Sequence, residues 1–189
     1  MLGSSFSAVL AAAVAGDERA FEVLWLDLNP AVLRYLWVVI PDAAEDVASE
    51  TWIEVVRGLE RFKGGEAGFR GWVFTIARHR AVDAYRRQHH RPSVPVPEEF
   101  LDVWPGAGDP ADEVMEALTT KAAVAVIAQL PPDQAEVVAL RVIAGLDVEQ
   151  VCRIVGKRPG AVRVLAHRGL RRLAERLERL PEAKGGVTP

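Results

Sequence analysis

The chain has 189 residues, half of them apolar and 26% charged, with a formal net charge of −3. This is enough for one domain or two small ones around a real core, and any strong basicity has to be local. A single cysteine, Cys152, excludes a disulfide framework and a cysteine-based zinc site, and makes the reducing cytoplasm the default compartment.

The N-terminus has an apolar run from Ala8 to Ala15 without a basic segment before it, and Asp17, Glu18 and Arg19 follow. It reads as helix rather than export signal. The period of Phe21, Leu24, Trp25 and Leu28 predicts an amphipathic helix that ends at Asn29-Pro30. A second helix is expected from about Ala31 to Ile40. Trp37 to Ile40 is far too short to span a bilayer, so no membrane insertion is expected. A third helix starts after Pro41-Asp42, with Val47, Ala48, Trp52, Val55, Val56 and Leu59 as its apolar stripe. Asp46, Glu50 and Glu54 recur at i, i+4 and make an acidic stripe opposite much of the apolar one. By itself such a stripe is ordinarily a solvated face.

Gly64, Gly65 and Gly68 mark a loop. From Phe69 to Arg91 the chain interleaves Phe69, Trp72, Phe74 and Tyr85 with Arg70, Arg78, Arg80, Arg86, Arg87 and Arg91, and its one acid is Asp83. Aromatic faces stack on unpaired bases and guanidinium groups pair with phosphates, so this helix is a candidate reader of single strands. His89-His90 has no ligand partners at metal spacing and reads as a solvated helix end. Residues 92–113 carry Pro92, Pro95, Pro97, Pro105 and Pro110, and acids without a single Lys or Arg. They read as an acidic linker, either a solvated spacer or a segment with a role of its own.

A second helical unit follows, with helices expected at roughly 114–129, 133–144, 147–155 and 160–179. Nothing alternates with period two, so the fold class is all-α. Within it, Asp147 and Gln150 form a capping box, Gly156 suits a left-handed helix end, and Pro159 suits the first turn of the next helix. Val148, Val151, Ile154 and Val155 are expected to be buried, as are Val162, Leu165, Leu170 and Leu173. Cys152 is a small core residue. A short helix, a tight turn and a longer helix make a helix-turn-helix, a shape that enters a major groove. No acid occurs between Glu149 and Glu175, whereas Arg153, Lys157, Arg158, Arg163, Arg168, Arg171 and Arg172 do. Arg163, His167 and Arg168 are placed for base edges, and Arg171 and Arg172 for phosphate. No phosphate-binding glycine loop, carboxylate pair or nucleophile–base set points to catalysis, and no cofactor is implied.

Taken in order, AEDVASETWIEVV, FRGWVFTIARHRAVDAYRR, LPPDQAEVVALRVIAGLDVEQVCRIVG and PGAVRVLAHRGLRRL resemble the extracytoplasmic-function sigma factors of bacterial RNA polymerase, of the sigma-70 family. The resemblance covers roughly 17–91 and 115–180. It implies a non-catalytic protein of two helical domains joined by a flexible linker. The first, 1–91, would be like sigma region two, and the second, 114–182, like sigma region four, with a tail at 183–189. It implies binding to core RNA polymerase through the clamp coiled coil of the largest subunit and the flap region, and to promoter DNA, with promoter opening. An anti-sigma factor is a further expected partner.

By the same resemblance, Asp46, Glu50 and Glu54, with Trp52 nearby, would dock on the clamp. The loop Lys63, Gly64, Gly65, Glu66, Ala67, Gly68 would hold a flipped minus-ten base, backed by Phe69, Trp72, His79 and Asp83, with Arg86 and Arg87 on the strand. Trp72 fits a core role equally well. His79 stands where the family often has Asn, which changes the hydrogen bonds open to a base. Arg158, Arg163, Val164, His167, Arg168, Arg171 and Arg172 would face the minus-thirty-five element, with Val164 offering apolar contact to a thymine methyl. The acidic linker would thread the polymerase cleft. The alternative is a helix-turn-helix regulator that binds duplex operators without docking on polymerase. That reading leaves the aromatic helix and the acidic stripe unexplained. A nucleic-acid enzyme lacks a visible metal or nucleophile set.

Overall fold

The computed structural model describes residues 2–89 and 121–177, and among these it is helical without a strand. The first unit holds α1 (Phe6–Val14), α2 (Glu18–Val39), α3 (Ala44–Gly58) and α4 (Glu66–His89), with 3-10 turns at Gly3–Ser5, Pro41–Ala43 and Leu59–Arg61. The second holds α5 (residues 121–128), α6 (Pro132–Val138) running into a π turn at Ala139–Ile143, α7 (Val148–Val155) and α8 (Pro159–Leu177). The linker at 92–113 and the tail at 183–189 lie outside the described residues.

α2 starts where the sequence places it. Asp17 caps it by accepting from the Arg19 and Ala20 N–H groups at 2.9 and 3.2 Å. It does not stop at Pro30, as the sequence predicts, but continues to Val39. Pro30 removes one backbone donor. Leu28, Ala31, Val32 and Tyr35 on either side of it are all buried, and packing of that face outweighs the lost bond. Three exposures also differ from the expected stripes. Trp25 and Val56 are exposed, as is Leu170 on α8. At each the helical period continues while, among the described residues, no neighbouring helix covers the position.

The N-terminal segment is tied to the start of α4. The Glu66 carboxylate accepts the Leu2 and Gly3 N–H groups at 2.6 and 3.0 Å, and Phe6 packs on Phe69 with ring centroids 5.7 Å apart. In the second unit the capping box of Asp147 and Gln150 is present, and Gly156 closes α7 at φ 68°, in the left-handed region. Pro159 opens α8.

The two units touch. α6 and the π turn pack on α2, and α7 packs on α4. Tyr35 of α2, fully buried and edge-on to Phe74 at 5.6 Å, donates its hydroxyl to Glu136 of α6 at 3.3 Å. Arg78 of α4 donates to the same carboxylate oxygen at 2.8 Å. Burial, and then the adjacent Glu136 charge, hold the Tyr35 phenol well above its ordinary value of 10.0. The folded state therefore keeps that proton more tightly than the unfolded chain. The stability it contributes is complete below pH 10.0 and is lost as pH rises above it towards the folded value. In urea unfolding between pH 8 and 11, Tyr35→Phe should show a shallower alkaline loss of stability than the native chain. Equal slopes would contradict this account of the phenol.

Candidate functional site

Two surfaces of the first unit meet along the seam between α3 and α4. The acidic stripe of α3 is less free than its spacing suggests. Glu54 pairs with Arg80 of α4, and Glu50 pairs with Arg87 of α4 at 3.1 Å. Asp46 is exposed at the N-terminal end of the stripe. Trp52 is not part of this surface. It is 7% exposed, donates its indole N–H to Asn29 at 2.9 Å, and lies edge-on to Phe21. Its place on the apolar stripe explains this: at about 3.6 residues per turn Trp52 lies on the face that α3 turns towards α2, where Asn29 and Phe21 meet it.

At the other end of the seam lies an open cleft of about 380 Å³, lined by Glu54, Arg57, Gly58, Arg61, Trp72, Ile76, His79 and Arg80. Trp72 forms one wall. It stacks on Phe62 with centroids 5.2 Å apart at 25°. Its other neighbour is Gly58, where a Cβ would lie 2.7 Å from the indole Cζ2. The glycine lets the ring approach α3. Three guanidinium groups and an imidazole beside an aromatic wall suit a flat ring carrying acceptors, next to a phosphate. Arg57, Arg61 and Phe62 are absent from the sequence-derived site. Their signal is the recurrence of Arg57 and Arg61 at i, i+4 directly after the acidic stripe.

The sequence-derived loop Lys63–Gly68 is shorter in the structure. α4 begins at Glu66, so Lys63, Gly64 and Gly65 form the exposed connection, while Glu66, Ala67 and Gly68 belong to the first helical turn. The Glu66 carboxylate is occupied by the N-terminal amides. Phe69 is 1% exposed and packs within Phe6, Phe62 and Trp72. It supports the cleft from behind and offers no face to a ligand. His79 lines the cleft, Asp83 and Arg86 are exposed further along α4, and Arg87 is held by Glu50.

On the second unit, α8 presents Arg163, Val164, His167, Arg168 and Arg171 to solvent, with Arg158 exposed in the turn before it. Val162, fully buried, sits on the opposite face. Arg171 bonds Glu175 at 2.9 Å. Arg172 reaches back to the Gln134 side-chain oxygen at 3.1 Å, which anchors α8 on α6. Gly169 allows α8 to approach α6 closely, since a Cβ there would lie 2.6 Å from Val138 Cγ2. This is the orientation that exposes the N-terminal part of a recognition helix. Cys152 is half-buried on α7.

Residues 24–91 match the family description Sigma-70 region 2, and residues 120–173 match Sigma-70, region 4. The chain is 34% identical over 167 residues to the ECF RNA polymerase sigma factor BldN of Streptomyces coelicolor, covering 87% of this chain and 63% of that protein. It is 32% identical over 186 residues to the ECF RNA polymerase sigma factor SigD of Mycobacterium tuberculosis, covering 94% of this chain and 86% of that one. Among solved structures it shares its fold with CnrH, in the complex with the cytosolic domain of CnrY. The TM-score is 0.61 at 20% identity, over 93% of this chain and 99% of that one. Among the described residues no helix is long and apolar enough to cross a membrane.

The Gly58–Trp72 contact makes a direct prediction. Gly58→Ala should lower stability by about 1–3 kcal/mol by overpacking against the indole, measured as the shift in urea midpoint. The penalty should shrink in a Gly58→Ala/Trp72→Leu double variant relative to Trp72→Leu alone. Equal penalties in both backgrounds would show that the ring does not depend on that glycine.

Proposed function

This chain belongs to the sigma-70 family as an extracytoplasmic-function sigma factor, and from that membership we propose that it binds core RNA polymerase, reads minus-thirty-five and minus-ten promoter elements, and assists in opening the DNA. The observation that carries this reading is the pairing of an exposed basic recognition helix on one unit with a cationic, aromatic-walled cleft on the other. A duplex-binding regulator has use for α8 but none for that cleft or for the acidic helix beside it.

In this reading Asp46 and the outer faces of Glu50 and Glu54 meet a basic surface on the polymerase clamp. They supply register and complementarity more than raw affinity. Trp52 contributes by fixing α3 on α2. A minus-ten base leaves its stack and enters beside Trp72 and His79, with Lys63, Gly64 and Gly65 closing over it. The unstacking cost of a few kcal/mol is offset by stacking and by hydrogen bonds to the base edge. Arg57, Arg61 and Arg86 are placed for the flanking phosphates. Arg163, Val164, His167 and Arg168 face the bases of the minus-thirty-five element, while Arg158 and Arg171 face its backbone. The protein acts in the cytoplasm and carries out no covalent chemistry. An anti-sigma factor is part of the same reading.

Run-off transcription with purified core polymerase tests the proposal. Initiation that depends on this chain on some genomic fragment is expected, and failure to bind core polymerase would sink it. Two substitutions separate the surfaces. Asp46→Lys should weaken binding to core polymerase while leaving duplex binding by the second unit unchanged. Arg163→Ala should cost about 1–3 kcal/mol on the cognate upstream element and relax preference there. An equal loss on all sequences would instead mean a phosphate contact.

A further inference from the structure

Residues 2–14 have no part in the DNA and polymerase surfaces described above, yet they are fastened to the loop beside the cleft. The Glu66 carboxylate accepts the Leu2 N–H through one oxygen at 2.6 Å and the Gly3 N–H through the other at 3.0 Å. These donors stand at the start of the 3-10 turn Gly3–Ser5, where no earlier helical carbonyl is available to them. Glu66 itself lies in the first turn of α4. Its charge therefore stands at the N-terminal ends of two helical segments, where a carboxylate is favoured. One turn further on, Phe6 of α1 is buried against Phe69 of α4. Arg70, at i+4 from Glu66, is engaged elsewhere, with Asp27 and the Ala144 carbonyl.

From this junction we propose that the N-terminal segment is a clip that sets the shape of the loop Lys63, Gly64, Gly65, and that Glu66 is a positioning residue for base choice at the cleft. The proposal rests on the sigma-factor reading above and deepens it. Only those loop residues separate Phe62 from Glu66. Phe62 is fixed at one end by stacking on Trp72 and by its edge contact with Phe69. The clip fixes the other end. In between, the backbone runs close over the Phe62 ring, since a Cβ on Gly64 would lie 3.0 Å from the ring Cζ.

Glycine loses more backbone freedom on ordering than any other residue. A loop that carries Gly64 and Gly65 is therefore costly to immobilise over a base. Anchoring both of its ends beforehand removes part of that cost. The gain goes to the base whose edge matches the fixed donors and acceptors, whereas a loose loop adapts to any base and discriminates less. Bonds from a carboxylate to backbone amides belong to the stronger, charge-assisted class, which suits them to hold such an anchor. Arg61 and Trp72 line the cleft next to the loop and Glu66 does not. Its effect on a base is exerted through the loop.

Two measurements on the full chain test the clip. Amide exchange by NMR in the free chain reports the first turn of α4, where the Phe69 N–H bonds the Gly65 carbonyl at 2.9 Å. One variant lacks residues 2–5. The other, Glu66→Gln, sets an amide NH2 against one of the two donors. Each should speed exchange at Phe69 about tenfold, with the helical circular dichroism retained. Unchanged exchange would overturn the clip. In the second measurement, core polymerase carrying the chain is offered a randomised single-stranded DNA library and the bound fraction is sequenced. At the most selective position, the ratio of best to worst base should fall roughly three- to tenfold in each variant. Combining the two changes should lose no more than either one alone. Losses that multiply would mean that Glu66 touches the base itself, and would overturn its positioning role. Faster exchange with an unchanged base ratio would overturn that role too, leaving only a fastening of the fold. A native chain that binds no core polymerase, while exchange at Phe69 responds as expected, would instead count against the sigma-factor reading and leave the clip standing.

Discussion

The seating of Trp72 between Phe62 and Gly58 is the constraint on which the first unit depends. It sets how closely α4 approaches the end of α3. It holds Phe62, just after the turn at Leu59–Arg61, against Phe69, and through Phe6 the N-terminal helix joins the same cluster. The cleft beside it exists because the indole forms a wall there rather than filling the space. Aromatic rings that look, in sequence, like a row of platforms for unpaired bases are thus divided by packing. Phe69 and Phe62 act as support, and Trp72 is both support and surface.

Charge is divided along the same seam. The acids of α3 and the arginines of α4 lie within reach of one another, so Glu50 and Glu54 each face two ways, inward to Arg87 and Arg80 and outward to solvent. Half-exposed pairs of this type contribute little to stability. Their effect is to hold long side chains in fixed directions. A partner that draws on Glu54 also changes the field at Arg80, which lines the cleft. The acidic stripe and the cleft are therefore electrically linked.

Much of this was legible in the chain. Capping chemistry is local, so Asp17, the Asp147–Gln150 box, Gly156 and Pro159 mark their helix ends within a residue. The recognition helix is also legible, because its charge is concentrated and its buried face is short. The failures share a different cause. Pro30 ends a helix in isolation but not one whose flanking turns are both buried. Trp52, on the apolar stripe, and Phe69, behind the loop, are turned inward as that pattern implies, and the resemblance alone set them beside the charged positions. Arg57 and Arg61 gain meaning only when α4 folds back beside them. Glu136 and Gln150 meet residues 58 to 101 positions away, which no local pattern encodes.

Gln150 joins the capping of α7 to the contact between the two units. Its carbonyl oxygen caps the Asp147 N–H at 2.9 Å, while its amide nitrogen reaches across to Ala67. One side chain therefore serves two bonds through two different atoms. Releasing Ala67 gives the amide to water and leaves the cap of α7 in place. The start of α7 is thus fixed by its own side chains, whether or not the contact with α4 is made.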